Sequence, residues 1–218
     1  MGTSPPRRAE PKPGAKPQAE PQHEPQAEPR APPPSPLLAP IADRHASEGS
    51  AVATARQMSA ARGWMARALR LARRAACCHE VPVAALVVHA GQVIAWAHNL
   101  RELHGDPVAH AEILALRRAA RYLGRWRLTG CTLVVTLEPC AMCAGALVNA
   151  RVDRLIYGAA DPRAGAVGSC FDLVRHAALN HRADVLAGIG QRGSAALLRR
   201  FFAARRRGQS LVIRGRVR

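Results

Sequence analysis

His110-Ala111-Glu112 and, further along, Pro139-Cys140-Ala141-Met142-Cys143 are the residues of this chain whose types and spacing could do chemistry. A Cys-x-x-Cys pair at the start of a helix supplies two thiolates one turn apart, and Pro139 suits the first helical position. Such thiolates meet the positive end of the helix dipole, which favours the deprotonated, metal-binding form. His110, on the first turn of the preceding helix, is a third ligand, so two helix N-termini converge on one ion. A structural zinc site normally has four protein ligands, and three are visible here. The open position argues for a water, whose pKa zinc brings to about 7. Glu112 faces the same point without being a ligand and can accept that water's proton. A lone Cys-x-x-Cys or a lone His on a helix would be weak. The agreement of the proline, the His-x-Glu and the vacant position makes the constellation specific.

The elements that must position these groups can be read from periodicity. Trp64 to Ala76 has the apolar spacing of an amphipathic helix with Arg67, Arg70, Arg73 and Arg74 on its other face. Val81 to His89 and Gln92 to His98 read as a hairpin across Ala90-Gly91. Asp106 as N-cap and Pro107 as first residue open a helix to about Tyr122. Cys131 to Thr136 is a strand, Pro139 to Ala150 a helix, and Arg154 to Ala159 a strand again. A Gly-rich loop spans Asp161 to Ser169, Asp184 to Ala187 is a fifth strand, and Gln191 to Arg207 closes as a basic helix. The alternation gives an α/β fold with three α/β/α layers. Strand order does not follow from the pattern.

Residues 1–57 hold 13 of the chain's 17 prolines and a QAEP-QHEP-QAEP repeat, so they read as a disordered extension that cannot bury enough apolar surface to offset ordering. They carry a net charge of only +1, which leaves +16 of the total +17 on the folding part, residues 58–207, and on a basic tail, residues 208–218. That balance suits a polyanion, nucleic acid above all. No secretory h-region and no apolar span of about 20 residues is present, and the acids among residues 10–28 argue against a transit peptide, so the expected compartment is the cytoplasm with no membrane association. Six cysteines in that compartment are better read as ligands or free thiols than as disulfides.

The His-x-Glu and Pro-Cys-x-x-Cys pair is the signature of zinc-dependent nucleobase deaminases. Together with WMARAL at 64–69, EVPVAALVV at 80–88, DPVAHAEILAL at 106–116, TLVVTLEPCAMCAGALVNAR at 132–151, GAADPRAGAVGS at 158–169 and LNHR at 179–182, the chain resembles the family of bacterial tRNA-specific adenosine deaminases (TadA) within the cytidine deaminase-like superfamily. The resemblance covers roughly Trp64 to Arg207. It implies a central mixed five-stranded sheet, a homodimer, one zinc per subunit, and conversion of adenosine to inosine at the wobble base of a tRNA anticodon stem-loop. Carried over by matching position, His110, Cys140 and Cys143 bind the zinc and Glu112 moves protons. Asn99, Asp161 and Arg163 would approach the nucleotide and its backbone. Phe201, Phe202, Arg205 and Arg206 would line the anticodon loop. The chain departs from the family at Ala84, commonly Gly, and at Ala160, often basic. Two other readings are a deaminase of a free base or nucleoside such as guanine or cytosine, and a non-catalytic RNA-binding partner that keeps zinc for structure. The second predicts loss of the glutamate, and Glu112 is present.

Overall fold

A computed structural model describes residues 48–208, with side chains from residue 55 onward. Five strands, β1 (Ala84–His89), β2 (Gln92–His98), β3 (Cys131–Leu137), β4 (Arg154–Ala159) and β5 (Asp184–Leu186), form one sheet in the order β2-β1-β3-β4-β5. The β1 strand runs antiparallel to β2 and β3, whereas β3, β4 and β5 are parallel, so the sheet is mixed. Along β1, Ala84, Leu86 and Val88 turn to one face and Ala85 and Val87 to the other, all buried. Burial on both faces explains why these strands read as continuous apolar runs rather than as alternating ones.

One face is covered by α1 (Glu48–Cys77) and α5 (Gln191–Arg206), through Met65, Ala68, Ala72 and Leu197. The other is covered by α3 (Ala111–Leu123) and α4 (Ala141–Asn149), through Ala115, Ala119, Ala144 and Leu147. A short α2 (Arg101–His104) lies between β2 and α3. Among the described residues, no helix is long and apolar enough to cross a membrane.

Three expectations need correction. The first helix begins at Glu48 rather than near Trp64 and so takes in residues 48–57. That stretch is rich in Ala and follows the last of the N-terminal prolines, which gives it the helix propensity that the preceding repeat lacks. The rest of the expected extension, residues 1–47, and the tail from 209 to 218 lie outside the described residues. Asp106 and Pro107 do not start α3. The Asp106 carboxylate accepts from the Val108 amide at 2.9 Å, and its carbonyl accepts from Ala109 at 3.2 Å, so its capping capacity goes into a turn. Pro139 likewise stays outside α4, and its carbonyl accepts from the Ala166 amide at 2.8 Å. The helix α3 therefore begins four residues, and α4 two residues, later than the proline signal indicates.

Candidate metal and base-binding site

The later helix starts make ligand-type residues the N-caps. His110 caps α3 with φ −71° and ψ 150°, and Cys140 caps α4 with φ −71° and ψ 173°, both extended. An N-cap side chain projects beside the free amides of the first turn, where the dipole is positive. Cys143 lies one turn into α4 and is buried.

The three donor atoms fall within 4.8 Å of one another. His110 Nδ1 is 3.7 Å from Cys140 Sγ and 3.6 Å from Cys143 Sγ. A tetrahedral zinc with N and S ligands at their usual bond lengths separates them by about 3.6 Å, so the donor spacing and the N/S donor set fit that ion. Charge agrees with geometry. The Cys140 thiol is lowered to about 4 by hydrogen bonding from the Cys143 thiol and then from His110, while Cys143 is pushed up because Cys140 holds its proton and because it is buried. Two adjoining thiols share one negative charge until a cation takes the place of the proton between them. His110 is itself raised, first by its hydrogen bond to Cys140.

Glu112, in the first turn of α3, is 4% exposed. Burial pushes its carboxyl up, against the opposing effects of a backbone amide and of His110. A buried carboxyl held above its ordinary range can both accept and return a proton. It lines a pocket of about 200 Å³ together with Asn99, His110, Cys140 and Asp161. Five of the residues singled out in the sequence are thus brought around one cavity.

Two glutamates that the sequence reading passed over hold the rim of that cavity. Glu80, fully buried, accepts from Asn99 Nδ2 at 2.9 Å and from the Leu103 amide at 2.7 Å. It therefore fixes Asn99 and the start of α2 at once, and leaves the Asn99 amide oxygen for another partner. Glu138, 2% exposed, accepts from the amides of Asp161 at 2.9 Å and of Val167 and Ser169 at 3.0 Å, and from the Ser169 hydroxyl. Burial opposes its charge, but these four donors hold its carboxyl below the ordinary range. A side chain added at Gly165 would overlap the Glu138 carboxyl, so the loop can close over the glutamate only with glycine there. Each glutamate ends or precedes an apolar run, and an acid buried among apolar residues was the available signal.

The remaining expected contacts lie outside the pocket lining. The Asp161 carboxylate accepts from the Arg163 and Ala164 amides at 3.0 and 3.3 Å, which shapes the loop and leaves the Arg163 side chain exposed. Phe201 is buried in the core and Phe202 is 42% exposed, their rings 5.4 Å apart and edge to face. Arg205 lies 3.9 Å from Glu102, a pocket-lining residue, so the end of α5 stands at the mouth, with Arg206 exposed beside it.

A sequence profile of the family described as MafB19-like deaminase matches residues 59–206. The chain is 44% identical over 139 residues to the tRNA-specific adenosine deaminase of Bacillus subtilis (strain 168), a match that covers 64% of this chain and 86% of that protein. A solved structure from a study of A-to-I editing by tRNA:A34 deaminases at the wobble position of transfer RNA is 45% identical with a TM-score of 0.59, over 60% of this chain and 95% of the other. A guanine deaminase from Nitrosomonas europaea is 29% identical with a TM-score of 0.53, over 64% and 82%.

Proposed function

The chain belongs to the MafB19-like deaminase family, and from that premise we propose that it hydrolytically deaminates adenosine to inosine at the wobble position of a tRNA anticodon. The observation that carries the chemistry is the convergence of His110, Cys140 and Cys143 within 4.8 Å beside the buried carboxyl of Glu112. The choice of substrate is supported by the identity to tRNA-specific adenosine deaminases, well above that to the guanine deaminase.

His110, Cys140 and Cys143 would hold one zinc ion, which when bound supplies an activated water as nucleophile. The target adenine leaves its stack, because a stacked base cannot present C6. A pocket of about 200 Å³ is below the range usual for whole small-molecule ligands, which suits one extruded base. The free oxygen of Asn99, aimed by Glu80, accepts from the extruded nucleotide. Glu112 takes one proton from the attacking water and passes it to N1, then takes the second from the C6 hydroxyl and gives it to the C6 amine, so that the C6–N bond breaks, the C6 carbonyl forms and ammonia departs. Water is consumed, and inosine and ammonia are the products.

The finer parts of the reading have separate supports. Asp161 lines the pocket and Arg205 reaches the lining residue Glu102, which supports Asp161, Arg163, Phe202, Arg205 and Arg206 as the phosphate and base contacts of the anticodon loop. Phe201 supports Phe202 from the core. A shallow apolar groove of about 380 Å³ between α3 and α4, lined by Ile113, Leu116, Trp126 and Ala146, supports a homodimer, and the likeness to a tRNA-modifying enzyme supports the cytoplasm. Sedimentation velocity checks the dimer.

The test is incubation of the zinc-loaded protein with a tRNA bearing adenosine at the first anticodon position, followed by nucleoside mass spectrometry. Inosine is expected, and Glu112→Ala is expected to abolish it while keeping one zinc per chain. Turnover of free guanine or cytosine with none on the tRNA would overturn the substrate.

A further inference from the structure

Away from the pocket, three arginines of α1 and one tryptophan of the edge strand β2 enclose a groove of about 300 Å³. It is lined by Arg67, Arg70, Leu71, Arg74, Leu86 and Trp96. The arginines recur at intervals of three and four, so they form one row along the helix, with neighbours about 5–6 Å apart. All three are exposed, and none makes a hydrogen bond or ion pair among the described residues. No acid lines the groove.

Trp96 is 44% exposed, an unusual position for a tryptophan on an edge strand with an arginine row beside it. It is held in place from across the strand. Arg118 of α3 donates to the Trp96 carbonyl and lays its guanidinium over the indole, 5.7 Å from the ring centroid. A ring fixed in this way loses little freedom when a second planar group stacks on it. Trp96 also lies three residues before Asn99 in the sequence, about 10 Å along an extended chain.

We propose that this groove is a second RNA-binding surface, in which Arg67, Arg70 and Arg74 bind successive phosphates of one strand and Trp96 stacks on a base. Guanidinium groups pair with phosphate oxygens in a forked geometry, and a row at helical spacing can follow a backbone. Base stacking on an aromatic beside a cationic track is the usual means of holding an unpaired nucleotide. An anionic lipid surface would meet the same charge, but the lining offers one exposed aromatic and no apolar face to insert. The proposal takes its ligand class from the RNA substrate above, but its test does not require turnover.

The experiment uses the full zinc-loaded chain carrying Glu112→Ala, so that RNA is bound and not converted. Fluorescence anisotropy with a labelled tRNA gives Kd across a salt series. The triple variant Arg67→Ala, Arg70→Ala, Arg74→Ala is expected to bind about tenfold or more weakly and to lower the log–log salt slope by about 2 to 3. The corresponding triple Lys variant, which keeps the charge, should retain most of that slope and shows that the helix is intact. Trp96→Leu should weaken binding about five- to a hundredfold, and Trp96→Phe much less. Unchanged affinity and slope in the Ala triple and in Trp96→Leu overturn the proposal. Loss of binding to phosphatidylserine vesicles with RNA binding intact also overturns it, and assigns the groove to lipid. If wild-type groove residues support tight tRNA binding but the enzyme with Glu112 restored forms no inosine, the deamination reading fails and the groove stands.

Discussion

The histidine–cysteine cluster and the rim opposite it are built by different means. In the cluster, two N-caps and one residue a turn further in converge because α3 and α4 start side by side at one end of the sheet. Their geometry is main-chain geometry. At the rim, Asn99 and Asp161 sit on connections that no repeating hydrogen-bond pattern fixes. Two buried carboxylates, Glu80 and Glu138, take their place by accepting from amides far away in sequence. Helix starts therefore make the candidate metal site, and buried charge makes the rim opposite it. Damage to the two should separate in experiment.

The largest effect is expected at the cluster. Cys143→Ser or prolonged chelation should remove zinc and reduce inosine formation by three orders of magnitude or more, about the scale of the ion's contribution, with metal content checked by mass spectrometry. Glu138→Ala should leave four donors without an acceptor, cost about 2–4 kcal/mol in urea unfolding, and lower kcat/KM about a hundredfold while zinc stays bound. Loss of zinc in step with activity in that variant would break the comparison, because the rim and the cluster would then be one unit. Glu80→Ala should be milder. With Asn99 unheld, KM for tRNA is expected to rise about tenfold and kcat to change less, a split that steady-state kinetics reads directly. Arg205→Ala removes an exposed ion pair of 3.9 Å, worth at most about 1 kcal/mol, so thermal stability should hardly move. Any loss in that variant should appear as a reduced salt dependence of tRNA binding.

Within the sheet, the strands β2 and β4 begin and end where the apolar pattern does, because turns and a short helix bound them sharply. β1 starts three residues later than its pattern. Val81 to Val83 is apolar because Val81 and Val83 line the pocket and not because the segment is paired. The helix starts were misplaced for one reason in both cases. A proline reads as a first helical residue, but at Pro107 and Pro139 the preceding Asp and the following loop take up the polar groups first. Phe201 and Phe202, adjacent in sequence, differ because a helix turns 100° per residue and only one of two neighbours can face the sheet.

The sequence by itself determined the donor set, the glutamate beside it, the α/β alternation and the excess of positive charge. Each is a matter of residue type and short spacing. Only the tertiary structure decided that His110 and Cys140 are caps, that Glu80 and Glu138 are the supports of the rim, and that an arginine row on α1 shares a groove with Trp96 on β2. Those relations join residues from about 20 to 30 positions apart, and the chain acquires them only when the sheet brings strand ends and helix ends together.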